Sequence, residues 1–68
     1  MDSVYKIIEI VGTSESSWED AAKTALDTAA NTIQDLRIAE VNKLDIKIDE
    51  QGGLVFRAKL NVSFKYRS

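Results

Sequence analysis

LVFRAKLNVSFKY, residues 54–66, is the stretch of sequence that decides the fold. Its apolar and polar residues alternate, and Val55 is the only apolar residue on the polar side. Since successive side chains of a strand point to opposite faces of a sheet, the pattern predicts one long strand covered on one face. Such a strand is roughly 40 Å long at about 3.3 Å per residue, more than so small a domain needs for its own core. We therefore expect part of the sheet to be buried by other copies of the chain.

Size and composition narrow the possible classes of protein. The chain is expected to form one domain, residues 1–68, and it contains no cysteine, histidine or proline. Disulfides and zinc–thiolate sites are therefore excluded, and the commonest general base is absent. Chains of this size often need disulfides, a metal or oligomerisation to support a small core, which leaves oligomerisation as the expected support.

Charge and hydropathy patterning disfavour two kinds of partner. A net charge of −2 and a pI near 4.9 argue against nucleic acid, which would require a basic surface. No apolar run approaches the roughly 20 residues that span a bilayer. Lys6 and Glu9 interrupt the first apolar run, unlike the apolar core of a signal peptide. We therefore expect a cytoplasmic protein with neither a nucleic-acid nor a membrane partner.

The first half of the chain predicts a strand followed by a helix. Residues Val4–Val11 form a β-branched run that stops at Gly12. After a serine-rich turn, Ser16 and Glu19 have the spacing of a capping box and predict the helix start. The apolar residues that follow recur every three or four positions, as on one face of a helix of about five turns: Trp18, Ala21, Ala22, Ala25, Leu26, Ala29, Ile33 and Leu36.

The second half predicts a β-hairpin. A strand is expected over Ile38–Ile48, with a change of parity near Asn42 and Lys43 that is typical of a β-bulge or a sharp bend. The loop Asp49–Gly53 is short and carries two glycines, which favours antiparallel pairing with the final strand. The predicted fold is α+β in the order β-α-β-β, with a three-stranded antiparallel sheet wrapped around one helix. The first strand is expected to pair with the last.

Two sets of residues are candidates for binding. Thr13 and Ser14 precede the helix start, and Arg57 and Lys59 lie on the polar side of the last strand, near Lys65 and Arg67; these groups could bind an anion. Asp45, Asp49 and Glu50 surround the hairpin loop and could hold a hard cation such as calcium. The alternatives are helix capping for the hydroxyls and a solvated surface for the charged residues. No motif indicates an enzyme.

Three stretches resemble the dodecin family, and together they cover essentially the whole chain. They are YKIIEIVGTS at Tyr5–Ser14, the pattern Leu36-x-x-x-Glu40-Val41, and LNVSF at Leu60–Phe64. The resemblance implies a hollow dodecamer of four trimers that binds and buffers flavins, such as FMN or riboflavin, at subunit interfaces and does not catalyse a reaction.

The chain departs from the flavin-binding pattern of that family at two positions. Where flavin-binding dodecins have Trp-Phe-Glu-Val, this chain has Ile38-Ala39-Glu40-Val41, and Arg57 stands where a glutamine bonds the flavin ring. Ile38, Glu40 and Arg57 are thus the flavin-equivalent positions, without the stacking tryptophan. The chain is similar to a branch for which calcium is the proposed ligand. Two other hypotheses remain. One is a phosphorylated cofactor such as coenzyme A or a nucleotide, held by Arg57, Lys59 and the helix N-terminus, and the other is an assembly without a small ligand.

Overall fold

The computed structural model describes residues 3–66, which form a sheet and one helix. The elements along the chain are β1 (Tyr5–Ser14), α1 (Trp18–Ala30), β2 (Leu36–Ile48) and β3 (Leu54–Lys65). The sheet is antiparallel throughout, and its strand order is β1-β3-β2. The predicted β-α-β-β architecture and the pairing of the first strand with the last are confirmed. Within residues 3–66 no helix has the length and apolar character that crossing a membrane requires.

The core lies between α1 and one face of the sheet. From β3 it contains Ala58, Leu60 and Val62, and from α1 it contains Ala21 and Ala25. Leu60 and Val62 are the largest fully buried side chains, each 1% exposed. The alternation of β3 therefore predicts correctly which of its sides meets the helix. Small alanine side chains on α1 allow the helix axis to lie close to the strands.

Gly12 is the point where β1 and α1 come closest together. A Cβ atom added at this position would collide with the backbone carbonyl of Ala21 and lie 2.8 Å from the Cβ of Ala25. Only glycine leaves room for this approach, and its own φ is not positive. The strand was predicted to stop here, but β1 continues through Gly12 to Ser14. The glycine thus serves packing and does not end the strand.

The helix starts one residue later than the capping-box prediction. The N-cap is Ser17, whose Oγ accepts a hydrogen bond from the backbone N–H of Asp20 at 3.0 Å. Ser16 lies in the preceding turn, where its N–H and that of Ser17 donate to the Oγ of Ser14. Ser16 and Ser17 are both followed by an acidic residue three positions later, so the sequence pattern fits either serine as the N-cap. The prediction of Ser16 was therefore wrong by one residue.

The helix is also shorter than predicted, because it ends at Ala30 and does not reach Leu36. The N–H groups of Thr32 and Ile33 both donate to the carbonyl of Ala29, which tightens the last turn. Asp35 then adopts a φ of 63°, the left-handed conformation that reverses the chain, and Leu36 opens β2. The apolar spacing of Ile33 and Leu36 continued the helical period by coincidence.

The strand β2 extends beyond the part of the sheet that α1 covers. All of its residues except Leu36 are exposed, including Val41, Leu44 and Ile46 on the side that faces the helix. Its register against β3 shifts between Val41 and Lys43, which confirms the predicted bulge, and also between Leu36 and Ile38. The radius of gyration is 14.0 Å, against about 11 Å for a compact chain of this length. The chain alone therefore leaves an apolar arm uncovered.

Candidate ligand-binding face

The sheet surface opposite α1, here called the open face, carries most of the predicted site residues. Side chains that pair directly across antiparallel strands share a face, so the strand register places them in rows that run from β1 through β3 to β2. The rows are Thr13–Arg57–Asp45, Val11–Lys59–Lys43, Glu9–Asn61–Glu40 and Ile7–Ser63–Ile38. The first three rows are polar or charged except for Val11, and the fourth is mainly apolar.

In the first row, Arg57 and Asp45 form a two-pronged ion pair. The Nε of Arg57 lies 2.6 Å from Oδ1 of Asp45, and its second guanidinium nitrogen lies 2.7 Å from Oδ2. The hydrogen bond from Arg57 is the main reason that the pKa of Asp45 is lowered, and the same bond raises the pKa of Arg57. About half of each side chain remains exposed. Asp45 is therefore a charged partner of Arg57 at neutral pH.

The second row brings two lysines face to face. Lys43 and Lys59 are direct cross-strand partners at the bulge, and like charges in this position repel each other. Lys59 has a partial partner, since its Nζ lies 3.5 Å from Oε1 of Glu9. Lys43 makes no ion pair within residues 3–66. A cavity of about 410 Å³ opens between these lysines, Arg57, Asp45 and Val11.

The third row presents oxygen ligands. Glu9 and Glu40 flank Asn61 on neighbouring strands, so their backbones are about 10 Å apart at the usual strand spacing. Glu9 also accepts a hydrogen bond from Nδ2 of Asn42 at 3.4 Å. Carboxylate and amide oxygens are ligands of hard cations such as calcium. The row therefore groups side-chain oxygens of the kind that hard cations bind, without forming a complete site within residues 3–66 of one chain.

The flavin-equivalent residues share the open face but not one pocket. Ile38 is 69% exposed and lies opposite Ser63, whose Oγ donates to the carbonyl of Ile38 at 3.4 Å. Arg57 is six residues along β3 from Ser63, or about 20 Å. Glu40 lies one row from Ile38. Within one chain, therefore, Ile38 and Arg57 cannot contact the same ring.

The anion candidates separate onto two faces of the sheet. Thr13 lies beside Arg57 on the open face, with Lys59 one row away. Ser14 points to the helix side, where its hydroxyl donates to Oδ2 of Asp20 at 2.7 Å and accepts bonds in the turn. The hydroxyl of Ser14 therefore stabilises the turn before the helix, as the capping alternative predicts, and does not face the cations of the open face. Lys65 continues the open face opposite Tyr5, while Arg67 lies outside the described residues.

The three metal candidates lie apart from one another. Asp45 is bonded to Arg57, and Asp49 closes the hairpin by accepting bonds from the N–H groups of Gln51 and Gly53 at 2.9 and 2.7 Å. Glu50 belongs to the turn of the same loop. Residues 3–66 contain no group of three acidic, histidine or cysteine side chains that could hold a metal within one chain. Glu9, Asn61 and Lys43 are not recognisable as site residues from the sequence. Asn61 lies between Glu9 and Glu40, and Lys43 lies opposite Lys59, only because of the strand register across the bulge.

Trp18 connects the start of the helix to the strand that carries the site. Its indole Nε1 donates to the backbone carbonyl of Asp45 at 3.1 Å. Its ring meets Phe56 edge to face, with ring centroids 5.3 Å apart and an interplanar angle of 81°. Such a pair is one of the preferred aromatic geometries. The backbone behind the Arg57–Asp45 pair is thereby held against α1.

Comparison with known proteins places the chain in a family. The family model described as Dodecin matches residues 4–67. The calcium dodecin of Mycobacterium tuberculosis is 48% identical over 65 residues, which cover 96% of this chain and 92% of that protein. The dodecin of Thermus thermophilus is 38% identical over 65 residues, with 96% and 94% coverage.

Solved structures agree with this placement. The crystal structure of the M. tuberculosis protein, described as a calcium-chelating antigen with a novel calcium-binding site, has a TM-score of 0.89 and covers 96% of this chain and 93% of its own. The dodecin of Streptomyces davaonensis has a TM-score of 0.91 at 20% identity with full coverage of both chains, a likeness of fold alone. By sequence and by structure, the chain belongs to the dodecin family.

Proposed function

We propose that this chain is a non-catalytic binding protein that assembles from twelve copies into a hollow shell, with trimers as the building units, and that its ligand is calcium. The observation that carries the proposal is the exposed arm. Val41, Leu44 and Ile46 are 53%, 48% and 39% exposed on the side of β2 that a helix would cover. Apolar surface of this extent marks an interaction site in a folded protein.

Copies of the same chain are the occupants that fit this arm best. Most soluble oligomers are closed and symmetric, and the dodecamer of four trimers implied by the resemblance to dodecins is such an assembly. The described core holds only two large buried side chains, Leu60 and Val62, which is little support for a chain of this size. Burial of β2 by neighbouring subunits would complete the core.

The row Glu9–Asn61–Glu40 supports a calcium site shared between subunits. Calcium takes six to eight oxygen ligands, and one row supplies too few. Symmetry would bring the same row from neighbouring subunits to a common axis and multiply the ligands. The relative from M. tuberculosis, 48% identical, is itself described as calcium-chelating.

The same face disfavours a flavin. Ile38 offers no aromatic surface on which an isoalloxazine ring could stack, and the guanidinium of Arg57 is held by Asp45. An arginine also only donates hydrogen bonds, whereas the glutamine of the flavin-binding pattern both donates and accepts.

Native mass spectrometry tests the assembly and the ligand together. We expect a particle near twelve subunit masses of 7.6 kDa each that carries calcium after dialysis against calcium-containing, chelator-free buffer. A monomer would overturn the assembly. A complete assembly that retains no calcium, as checked by elemental analysis, would overturn the ligand.

Paired variants locate the calcium. Glu40→Gln removes a carboxylate from the row with little change in shape, so we expect it to lower the bound calcium at least several-fold. Glu15→Gln makes the same chemical change at an exposed position in the turn before α1 and serves as the control. Equal calcium content in both variants would contradict the role of the row.

A further inference from the structure

We propose that the exposed arm of one subunit docks into a groove between β1 and α1 of a second copy, so that the subunits join head to tail. The inference rests on the proposed assembly of twelve copies and names the two surfaces that join its trimers. It involves none of the charged residues of the open face. The contact therefore does not use the residues to which a ligand is assigned.

The groove is a cavity of about 560 Å³ along the outer edge of β1. Its lining includes buried or half-buried apolar residues and exposed threonines: Ile8, Ile10, Ala25, Ala29 and Ile33, and Thr24, Thr28 and Thr32. Within residues 3–66, β1 pairs only with β3, so its outer backbone groups have no partner strand. Folded proteins usually cover such an edge, because it can pair with another chain. The described part of the chain provides no such cover.

The exposed arm, together with Leu54 of β3 at the end of the hairpin, is an apolar surface that the helix of its own chain does not cover. On the helix side of the hairpin, Ile46 pairs with Phe56, which contacts Trp18 at the start of α1. The next pair, Ile48 and Leu54, lies beyond the helix, and these side chains are 70% and 46% exposed. The arm and the groove lie at opposite edges of the sheet, with β3 between β2 and β1. The arm therefore cannot fill the groove of its own chain.

The surface area of the chain matches an interface with other copies. Its accessible surface is 5260 Å², whereas a compact monomer of 7.6 kDa has about 4,300 Å². The excess of roughly 1,000 Å² is close to the ~800 Å² that each partner buries in a stable interface of standard size. A second copy therefore accounts for the surface that the chain leaves uncovered.

The arm and the groove are also chemically complementary. Both are mainly apolar, so their contact removes the exposed side chains of Ile48 and Leu54 from water. The hydroxyls of Thr24 and Thr28 line the groove and make no hydrogen bond within residues 3–66. Because β2 is itself an edge strand, its outer carbonyl groups are suitable acceptors for these hydroxyls. An arm from another copy therefore satisfies both the apolar and the polar part of the groove.

The subunits join head to tail because the arm and the groove are different surfaces. A contact between different surfaces is heterologous, and it closes into a ring when the rotation between subunits allows it. In a ring, every arm is covered and every groove is filled. A two-fold contact between two arms would leave both grooves open. A ring of three copies corresponds to the trimer of the proposed assembly.

Native mass spectrometry in calcium-containing buffer tests the groove with single substitutions. Thr28→Trp places a large side chain in the groove. We expect it to abolish the particle of twelve subunits, or to raise the subunit concentration that assembly requires at least ten-fold. Lys23→Trp adds the same ring on the outer side of α1, where the lysine side chain is 72% exposed, and should assemble as the wild type does. Far-UV circular dichroism of both variants checks that the fold is retained.

Cysteine cross-linking tests the contact within the assembled particle, so it does not require a variant that fails to assemble. The chain has no cysteine, and Thr28→Cys/Ile48→Cys therefore introduces its only two thiols. With a flexible bismaleimide, we expect covalent dimers and trimers on a denaturing gel, joined through positions 28 and 48 in peptide mass spectra. Lys23→Cys/Ile48→Cys is the matched control outside the groove and should give at least ten-fold less of these products. Each single-cysteine variant should give none.

The outcomes separate this contact from the assembly itself. A monomeric wild type would overturn the proposed assembly and the docking together. A wild-type particle of twelve subunits would overturn the docking alone if positions 28 and 48 gave no link, or if Thr28→Trp assembled as well as Lys23→Trp. Covalent dimers from a single-cysteine variant would show that like surfaces meet, groove on groove or arm on arm, and would also overturn head-to-tail docking.

Discussion

The two faces of the twelve-residue strand β3 differ in burial: one packs against the helix, and the other is partly exposed. On the helix face, Ala58, Leu60 and Val62 are almost completely buried against α1. On the open face, Arg57 and Lys59 remain partly exposed and are held by ion pairs with neighbouring strands. The first face is completed by the chain's own helix. The second keeps charges and oxygen ligands accessible to other molecules, which is where function is expected.

The largest expected effect on stability comes from truncating a side chain on the face of β3 that packs against the helix. Leu60→Ala should lower the free energy of unfolding by about 2–5 kcal/mol, because it removes buried methyl groups and leaves a cavity. Urea denaturation at a fixed subunit concentration, in buffer with a calcium chelator so that metal binding does not contribute, measures this change. The neighbouring open-face variant Asn61→Ala should stay within about 0.5 kcal/mol of the wild type. Equal losses for both would remove the distinction between the faces.

A smaller effect is expected where β1 meets α1. Gly12→Ala forces the helix away from the strand and should cost about 1–3 kcal/mol of folding free energy. Gly52→Ala is the control, because its Cβ would meet nothing within 4 Å and only its φ of 82° is unfavourable, at about 1 kcal/mol. Thermal unfolding of the two variants compares them. The close approach would be refuted if Gly12→Ala proved the milder change.

A third variant tests whether the open face lost flavin binding at the residues named above. Ile38→Trp combined with Arg57→Gln recreates the flavin-binding pattern and should strengthen riboflavin binding by about 1–3 kcal/mol, by analogy with base–aromatic stacking. Quenching of riboflavin fluorescence on titration with protein measures the affinity. Ile7→Trp places the same ring in the same row on β1 and is the control. Equal gains would show that any exposed tryptophan suffices.

The smallest effect concerns pH. Because the hydrogen bond from Arg57 lowers the pKa of Asp45, the folded protein is stabilised by this group above its ordinary pKa, near 3.9, and loses that stabilisation as the pH falls through the lowered value. The thermal midpoint of the wild type should exceed that of Asp45→Asn at pH 7, and the gap should narrow as the pH falls below the ordinary pKa of an aspartate, about 3.9. The difference in thermal midpoint between the wild type and Arg57→Gln should narrow over the same pH range. A gap that does not change with pH would contradict the linkage.

Much of the fold could be predicted because a period-two pattern is strict in β3. The alternation from Leu54 to Tyr66 fixes which side chains face the helix, and the short loop after Ile48 forces the hairpin. The end of α1 could not be predicted in this way. Ile33 and Leu36 fit the helical period, and the reversal at Asp35 depends on a local backbone conformation that this residue type tolerates but does not require.

The site was less predictable than the fold for a reason of register. Arg57 and Lys59 are recognisable from β3 alone, but their partners on β1 and β2 depend on where the bulge falls. A shift of one residue would send every following side chain of β2 to the other face. The pairing of Lys43 with Lys59, and of Asp45 with Arg57, therefore becomes visible only once the register is known.

Trp18 gives the molecule a built-in optical probe. It is the chain's single tryptophan, and its indole N–H is bonded to the backbone of Asp45. Its emission therefore arises from one place, directly behind the ion pair of the open face. Any event that shifts β2 relative to α1, such as the association of subunits, should change the emission wavelength without any label. The fluorescence of Trp18 can thus report such changes in the unmodified protein.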